Sequence, residues 1–111
     1  GMVGRPVGHT RVERLSLHNY EMMVCYRPDL DEESAGALSQ RLNAFITNQG
    51  GEVSKENTMG RRRLAYPIRH FHEGFYQVVT FAMPPDNVAP LEHQLRLDED
   101  VLRHLVIREG E

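Results

Sequence analysis

Residues 52–83 read EVSKENTMGRRRLAYPIRHFHEGFYQVVTFAM, two extended runs separated by a short polar stretch. The second run, 75–83 (FYQVVTFAM), is the strongest strand signal in the chain, because aromatic and β-branched residues suit a pleated surface. Phe75, Val79, Phe81 and Met83 fall on one face of it, interrupted by Gln77. The first run, 52–68, alternates loosely through Val53, Lys55, Asn57 and Met59 and ends in Leu64, Ala65, Tyr66, Pro67 and Ile68. Pro67 has no N–H to give to a ladder, so it belongs on an edge, at a bulge or at a strand end. Residues 69–74 (RHFHEG) read as the turn, which makes the whole stretch a hairpin.

Outward from the hairpin, each flank supplies one helix and one strand. Upstream, 20–26 (YEMMVCY) is an apolar run ended by Arg27-Pro28, a strand. Asp31 is placed to cap a helix whose first turn holds Glu32 and Glu33, where negative charge is favoured. Ala35, Leu38, Leu42, Phe45 and Ile46 then share one helical face, and Gly50-Gly51 ends it. Downstream, Pro84-Pro85-Asp86 breaks the chain, and Val88, Leu91 and Leu95 mark a second helix. Pro90 requires that helix to start near Asp86 or Asn87, since proline is tolerated only in the first turn. Asp98, Glu99 and Asp100 form a turn before a last strand, 101–107. The order strand, helix, strand, strand, helix, strand predicts an α+β, ferredoxin-like βαββαβ fold. Its four-stranded antiparallel sheet carries both helices on one face, leaving the other to water or a partner.

A chain of 111 residues fits one domain, and 40% apolar with 26% charged residues is an ordinary globular balance. The expected division is a flexible basic arm over residues 1–19, with Gly1 read as a tag remnant, and a domain over 20–109. The arm lacks the apolar core of a secretory signal. Its acid-poor start, up to Glu13, has some transit-peptide character. No run approaches the roughly 20 apolar residues that span a bilayer.

The net charge of −3 argues at first against a nucleic-acid partner, but the charge is segregated. Residues 1–28 hold four Arg against two acids, and 61–76 four Arg against one. Residues 29–60 hold two bases against six acids, and 77–111 three against seven. Phosphate binding depends on the local patch, and acidic surface elsewhere can meet a basic protein.

Candidate chemistry is sparse. Cys25, the single cysteine, lies between Val24 and Tyr26 in an apolar strand and reads as packing rather than a nucleophile. His70 and His72 flank Phe71, yet no further ligand at metal-site spacing completes a set with them. His9, His18, His93 and His104 are scattered, and the acidic triplets lie at element ends, where capping and solvation account for them. No metal, cofactor, small-molecule substrate or membrane is expected, and no enzyme. The arginine run remains. On a strand, Arg61 and Arg63 project one way and Arg62 the other. The guanidinium fork matches phosphate oxygens, and Tyr66, Phe71, Phe75 and Tyr76 offer rings for base stacking. From spacing alone, charge placed to keep a sheet edge from pairing is an equally good account.

Residues 60–69, GRRRLAYPIR, resemble the signature of the bacterial small-subunit ribosomal protein S-six family. Gly60, Arg62, Leu64, Ala65, Tyr66, Ile68 and Arg69 occupy its required positions. The stretches YEMMVCYRPDLDEE, GFYQVVTFAMP and VLRHLVIRE resemble the family's other elements, and the similarity runs from about Tyr20 to Glu109. The first 19 residues depart from it. The resemblance implies a structural constituent of the small ribosomal subunit, in the cytoplasm or in an organellar ribosome. It also implies binding to the central domain of small-subunit ribosomal RNA as a heterodimer with the eighteenth protein of that subunit. It makes Arg61, Arg62, Arg63, Tyr66 and Arg69 the RNA-contact residues, Tyr66 and Arg69 foremost. Leu64, Ala65 and Ile68 would hold the strand in register against the helices, and Gly60 would permit a bulge or a close backbone approach. The alternatives are a stand-alone domain dimerising through its open sheet face, and a small metal binder or enzyme using Cys25 or His70 and His72.

Overall fold

Alternation on the central strands sets the architecture. In the computed structural model, which describes residues 16–110, Tyr20, Met22, Val24 and Tyr26 of the first strand all point to one side and are buried. Val79, Phe81 and Met83 do the same on its neighbour. The elements are β1 (His18–Tyr26), α1 (Glu32–Asn48), β2 (Glu52–Ile68), β3 (Phe71–Met83), α2 (Val88–Leu97) and β4 (Val101–Arg108). The sheet order is β2-β3-β1-β4 with every neighbouring pair antiparallel. Leu38, Leu42 and Ile46 of α1 and Leu91 and Leu95 of α2 join the β1 and β3 residues in one cluster. Each such side chain contributes about 1.5–3 kcal/mol by leaving water. Both helices therefore cover the same face, as the predicted ferredoxin-like order requires.

The helix ends follow the sequence signals. Asp31 caps α1, its carboxylate accepting the Ser34 N–H at 2.7 Å, and Gly50, at φ +83°, ends the helix. A 3-10 turn, Pro85–Asn87, leads into α2, so Pro90 lies in the first turn where its missing N–H costs nothing. Among the described residues no helix is long and apolar enough to cross a membrane.

Gln77 interrupts the inner face, as expected, and is accommodated by partners. It accepts the Tyr26 hydroxyl and donates from Nε2 to Glu56 at 3.3 Å. Glu56 also accepts from Asn43 at 2.8 Å and Ser39 at 3.4 Å, so a polar bridge joins α1 to the edge strand β2. Burial first, then the nearby Glu56 carboxylate, raises the Tyr26 hydroxyl pKa above the usual tyrosine range.

Four sequence expectations change in detail. β1 takes in His18 and Asn19, which had been assigned to the arm, because Asn19 pairs with Ala82 and accepts the Glu109 N–H at 2.8 Å. Residues 1–15 of that arm lie outside the described residues. The hairpin turn is Arg69-His70 alone, with φ of 46° and 75°, and β3 already begins at Phe71. Two consecutive left-handed residues twist the chain the way antiparallel strands twist, so a two-residue turn suffices. The alternation of β2 also changes phase. Register shifts beside Ser54 and Met59 leave Val53 on the helix side and Met59 on the open side. At the second shift Gly60 has φ +83°, with nothing within 4 Å of where a Cβ would stand, so it makes a bulge and not a close approach.

The fourth concerns Leu64, expected to brace the strand against the helices. It is buried on the opposite face, over Gly74 and beside Cys25. Ala65 is exposed and Ile68 half-buried. Regular β2–β3 pairing lapses between Arg63 and Ile68, which lets the segment turn Leu64 inward while Ala65, Tyr66 and Pro67 face solvent. Pro67 thus sits on an edge strand, within an irregular stretch, as its missing donor demands.

Two predictions follow from this packing. A Cβ at Gly74 would collide with the Cys25 Sγ, so Gly74→Ala should destabilise by about 1–3 kcal/mol in urea unfolding. Cys25→Ala made in the same chain should recover part of that loss, because the two sites share one space. The Ser34 N–H holds the Asp31 carboxyl below its ordinary pKa. Stability from this cap is therefore present above the unfolded carboxylate pKa and is lost as pH falls through the folded value. Asp31→Ala should lower the Tm at pH 7, and the gap to the parent should narrow below about pH 4.

Candidate nucleic-acid interface

The hairpin outreaches the rest of the sheet. The last β1–β3 pair is Tyr26 with Phe75, so among the described residues only β2 pairs with residues 71–74 of β3. This projecting ribbon carries the predicted contact residues. Strand parity and bulges decide where each one points.

Arg61 pairs across the ladder with Phe75, whose ring stacks on Tyr26 at 6.3 Å, and so lies on the helix side. Its guanidinium is 3.1 Å from Glu73. Arg62 pairs with Gly74 on the open side. There it borders a shallow groove of about 220 Å³ shared with Met23, Met59, Arg63, Tyr76 and Val78. Arg63 was expected to side with Arg61, yet it borders the Arg62 groove. Regular pairing ends at Arg63, and strict alternation ends with it. The Arg63 side chain makes no hydrogen bond or ion pair with any described residue, and the Arg62 side chain makes one, from Nε to the Met59 carbonyl at 3.3 Å. Tyr66 is 62% exposed. Arg69 is turned away from this group, with Nη2 2.8 Å from the Glu99 carbonyl and 3.4 Å from that of Val101.

Of the four rings expected to stack on bases, Tyr66 alone is broadly exposed. Phe75 packs against the core, Phe71 lies 5.6 Å below the Arg27 guanidinium, and Tyr76 is half-buried beside Cys25. The structure brings together Arg62, Arg63 and a set the sequence reading passed over: Met23, Met59, Tyr76 and Val78. Their signal was present, since Met23 on β1 and Tyr76 and Val78 on β3 occupy the alternate positions to the buried ones. Arg103 on β4 lies on this face too, opposite Cys25, and farther along the strand Leu105 and Ile107 are 44% and 48% exposed.

Cys25 is a free, buried thiol. Burial raises its pKa, against smaller opposing effects of a Tyr76 hydrogen bond and the Arg103 charge, so the thiolate is disfavoured. His70 and His72 stand at and just past the turn, and among the described residues no three His, Cys, Asp or Glu side chains come together to hold a metal. Among the described residues the arrangement offers no acid–base pair or activated nucleophile. It offers a cationic rim on a half-apolar sheet face.

Comparison with known proteins decides the lineage. The sequence model described as Ribosomal protein S6 matches residues 19–108. The chain belongs to the ribosomal protein S6 family. Among its relatives, the small ribosomal subunit protein bS6 of Symbiobacterium thermophilum is 41% identical over 95 residues, covering 86% of this chain and 100% of the relative. The protein of the same name from Desulforamulus reducens is 37% identical over the same coverage. The crystal structure of 30S ribosomal protein S6 from Thermotoga maritima superposes with a TM-score of 0.80 at 30% identity, covering 85% of this chain and 89% of that one. Members of the S6 family are structural proteins and not enzymes.

Within this S6-family chain, Cys25 should resist modification. In the folded protein at pH 8 it should react with a disulfide reagent much more slowly than in denaturant, where the thiol is exposed. Equal rates in the two conditions would contradict the burial described here.

Proposed function

We propose that this chain is a structural constituent of the small ribosomal subunit that binds the central domain of its ribosomal RNA, together with the eighteenth small-subunit protein as heterodimer partner. It works within the cytoplasmic ribosome. The observation that carries the reading is the projecting edge of the sheet, where Arg62 and Arg63 stand exposed at the end of regular pairing and Tyr66 stands exposed in the irregular segment that follows. Two guanidinium groups on a strand edge fit phosphate oxygens, and an exposed tyrosine beside them supplies a stacking surface.

Family membership supports the ribosomal setting, and the sheet's free face supports two kinds of contact. Arg62, Arg63 and Tyr66 take the RNA, at the β2 edge. Leu105 and Ile107, exposed along β4, suit an apolar patch on the protein partner. Acidic segments 29–60 and 77–111 complement a basic partner and steer its approach. Arg61 contributes less than its neighbours, because Glu73 already holds it.

The alternative, a stand-alone domain dimerising through the same open face, makes a different prediction. Binding of the chain with its protein partner to a central-domain RNA fragment should weaken steeply with salt. Arg62→Ala with Arg63→Ala should flatten that slope by roughly 1.4–1.8, the worth of two phosphate contacts. Parent-strength binding by the double variant would sink the site assignment. A salt-insensitive homodimer that ignores the RNA would favour the alternative.

A further inference from the structure

We propose that Arg69 is a positioning residue for RNA binding: it straps the tip of the β2–β3 hairpin to the turn before β4, and so fixes the angle at which Arg62, Arg63 and Tyr66 meet the RNA. The inference rests on the RNA-binding reading above and assigns Arg69 a part in it other than phosphate contact.

The tip needs such a strap. Among the described residues no third strand supports the ribbon beyond Phe75, and pairing between its own strands lapses from Arg63 to Ile68. A two-stranded ribbon is marginally stable in water by itself. Its turn also carries a cost, because Arg69 and His70 hold left-handed backbone angles of 46° and 75° without being glycine.

The side chain of Arg69 supplies the missing support. One nitrogen, Nη2, reaches the Glu99 carbonyl at 2.8 Å and the Val101 carbonyl at 3.4 Å. The turn that receives it is itself held. Arg41 of α1 meets Asp98 at 2.7 Å, and the Arg27 N–H donates to the Asp100 carbonyl at 2.9 Å. Arg27 adds a second tie, with its guanidinium 5.6 Å above the Phe71 ring at the base of the turn. The hairpin tip is thus fastened at two points to the body of the domain. A guanidinium occupied by carbonyls beside Asp98, Glu99 and Asp100 is also poorly placed for phosphate, which those carboxylates repel.

The role separates from direct contact in the salt dependence. Binding to the central-domain RNA fragment, with the partner protein present, is measured across a salt series for the parent, Arg69→Ala, Arg27→Ala and Arg62→Ala. Amide hydrogen exchange is followed on each free protein. A strap predicts that Arg69→Ala weakens binding about tenfold at every salt concentration, through lost preorganisation, with the slope unchanged. The amides of residues 71–73 should exchange faster in the same variant. Arg27→Ala should act in the same direction, and serves alone if Arg69→Ala does not fold. Arg62→Ala should instead flatten the slope by about 0.7–0.9 and leave exchange at the tip unaltered. A flatter slope for Arg69→Ala with unaltered exchange would overturn the proposal and make Arg69 a phosphate contact. If the parent itself failed to bind the RNA, the reading of the preceding section would fall, while exchange at the tip would still decide whether the strap exists.

Discussion

The rest of the molecule depends on one packing constraint: the inner face of β1 and β3 must be covered, and two helices of modest length are what cover it. Tyr20, Met22, Val24 and Tyr26 stand against Val79, Phe81 and Met83, and the apolar stripes of α1 and α2 close over them. Side chains on a strand alternate, so burying these positions commits their neighbours Met23, Cys25, Tyr76 and Val78 to the other face. The surface available to partners is thus a by-product of the core. It is neither fully polar nor fully apolar, a mixture that suits the proposed contacts with both RNA and another protein.

Where that alternation is broken, the breaks concentrate on β2. The strand is 17 residues long against eight or nine for β4 and β1, and an edge strand can be irregular because only one side of it must pair. Shifts beside Ser54, at Gly60 and between Arg63 and Ile68 re-aim its side chains. The last of these tucks Leu64 over Gly74 and leaves Tyr66 in solvent. In a central strand the same irregularity would orphan backbone donors on both sides.

Much of this was legible in residue order. Element boundaries at Asp31, Gly50 and Pro90 follow from capping and proline chemistry, which act within a few residues and leave a local mark. The inner-face residues Phe75, Val79, Phe81 and Met83 were readable from a period of two, and the polar interruption at Gln77 was visible with them. Its partners were not: Tyr26 lies 51 positions away and Glu56 21, and nothing local announces such a pair. The candidate site divided in the same way. Tyr66 as an accessible ring and Arg62 on the face opposite Arg61 agree with the sequence. The siding of Arg63 and the depth of Leu64 do not, since a bulge shifts phase by a residue without any compositional signal beyond Gly60 and Pro67.

By itself, the sequence determined the order of elements, the sidedness of the central strands and the presence of a basic, tyrosine-bearing segment in an acidic chain. These are consequences of periodicity and of local backbone chemistry, both written in neighbouring residues. Only the tertiary structure decided what each arginine does. Arg61 meets Glu73, Arg62 and Arg63 edge an open groove, and Arg69 reaches carbonyls 30 and 32 positions away. Four chemically identical side chains within nine residues take three different roles. The reason is physical: a guanidinium's function is set by what lies within its reach, and that is fixed by the bend of the chain and not by the residue type.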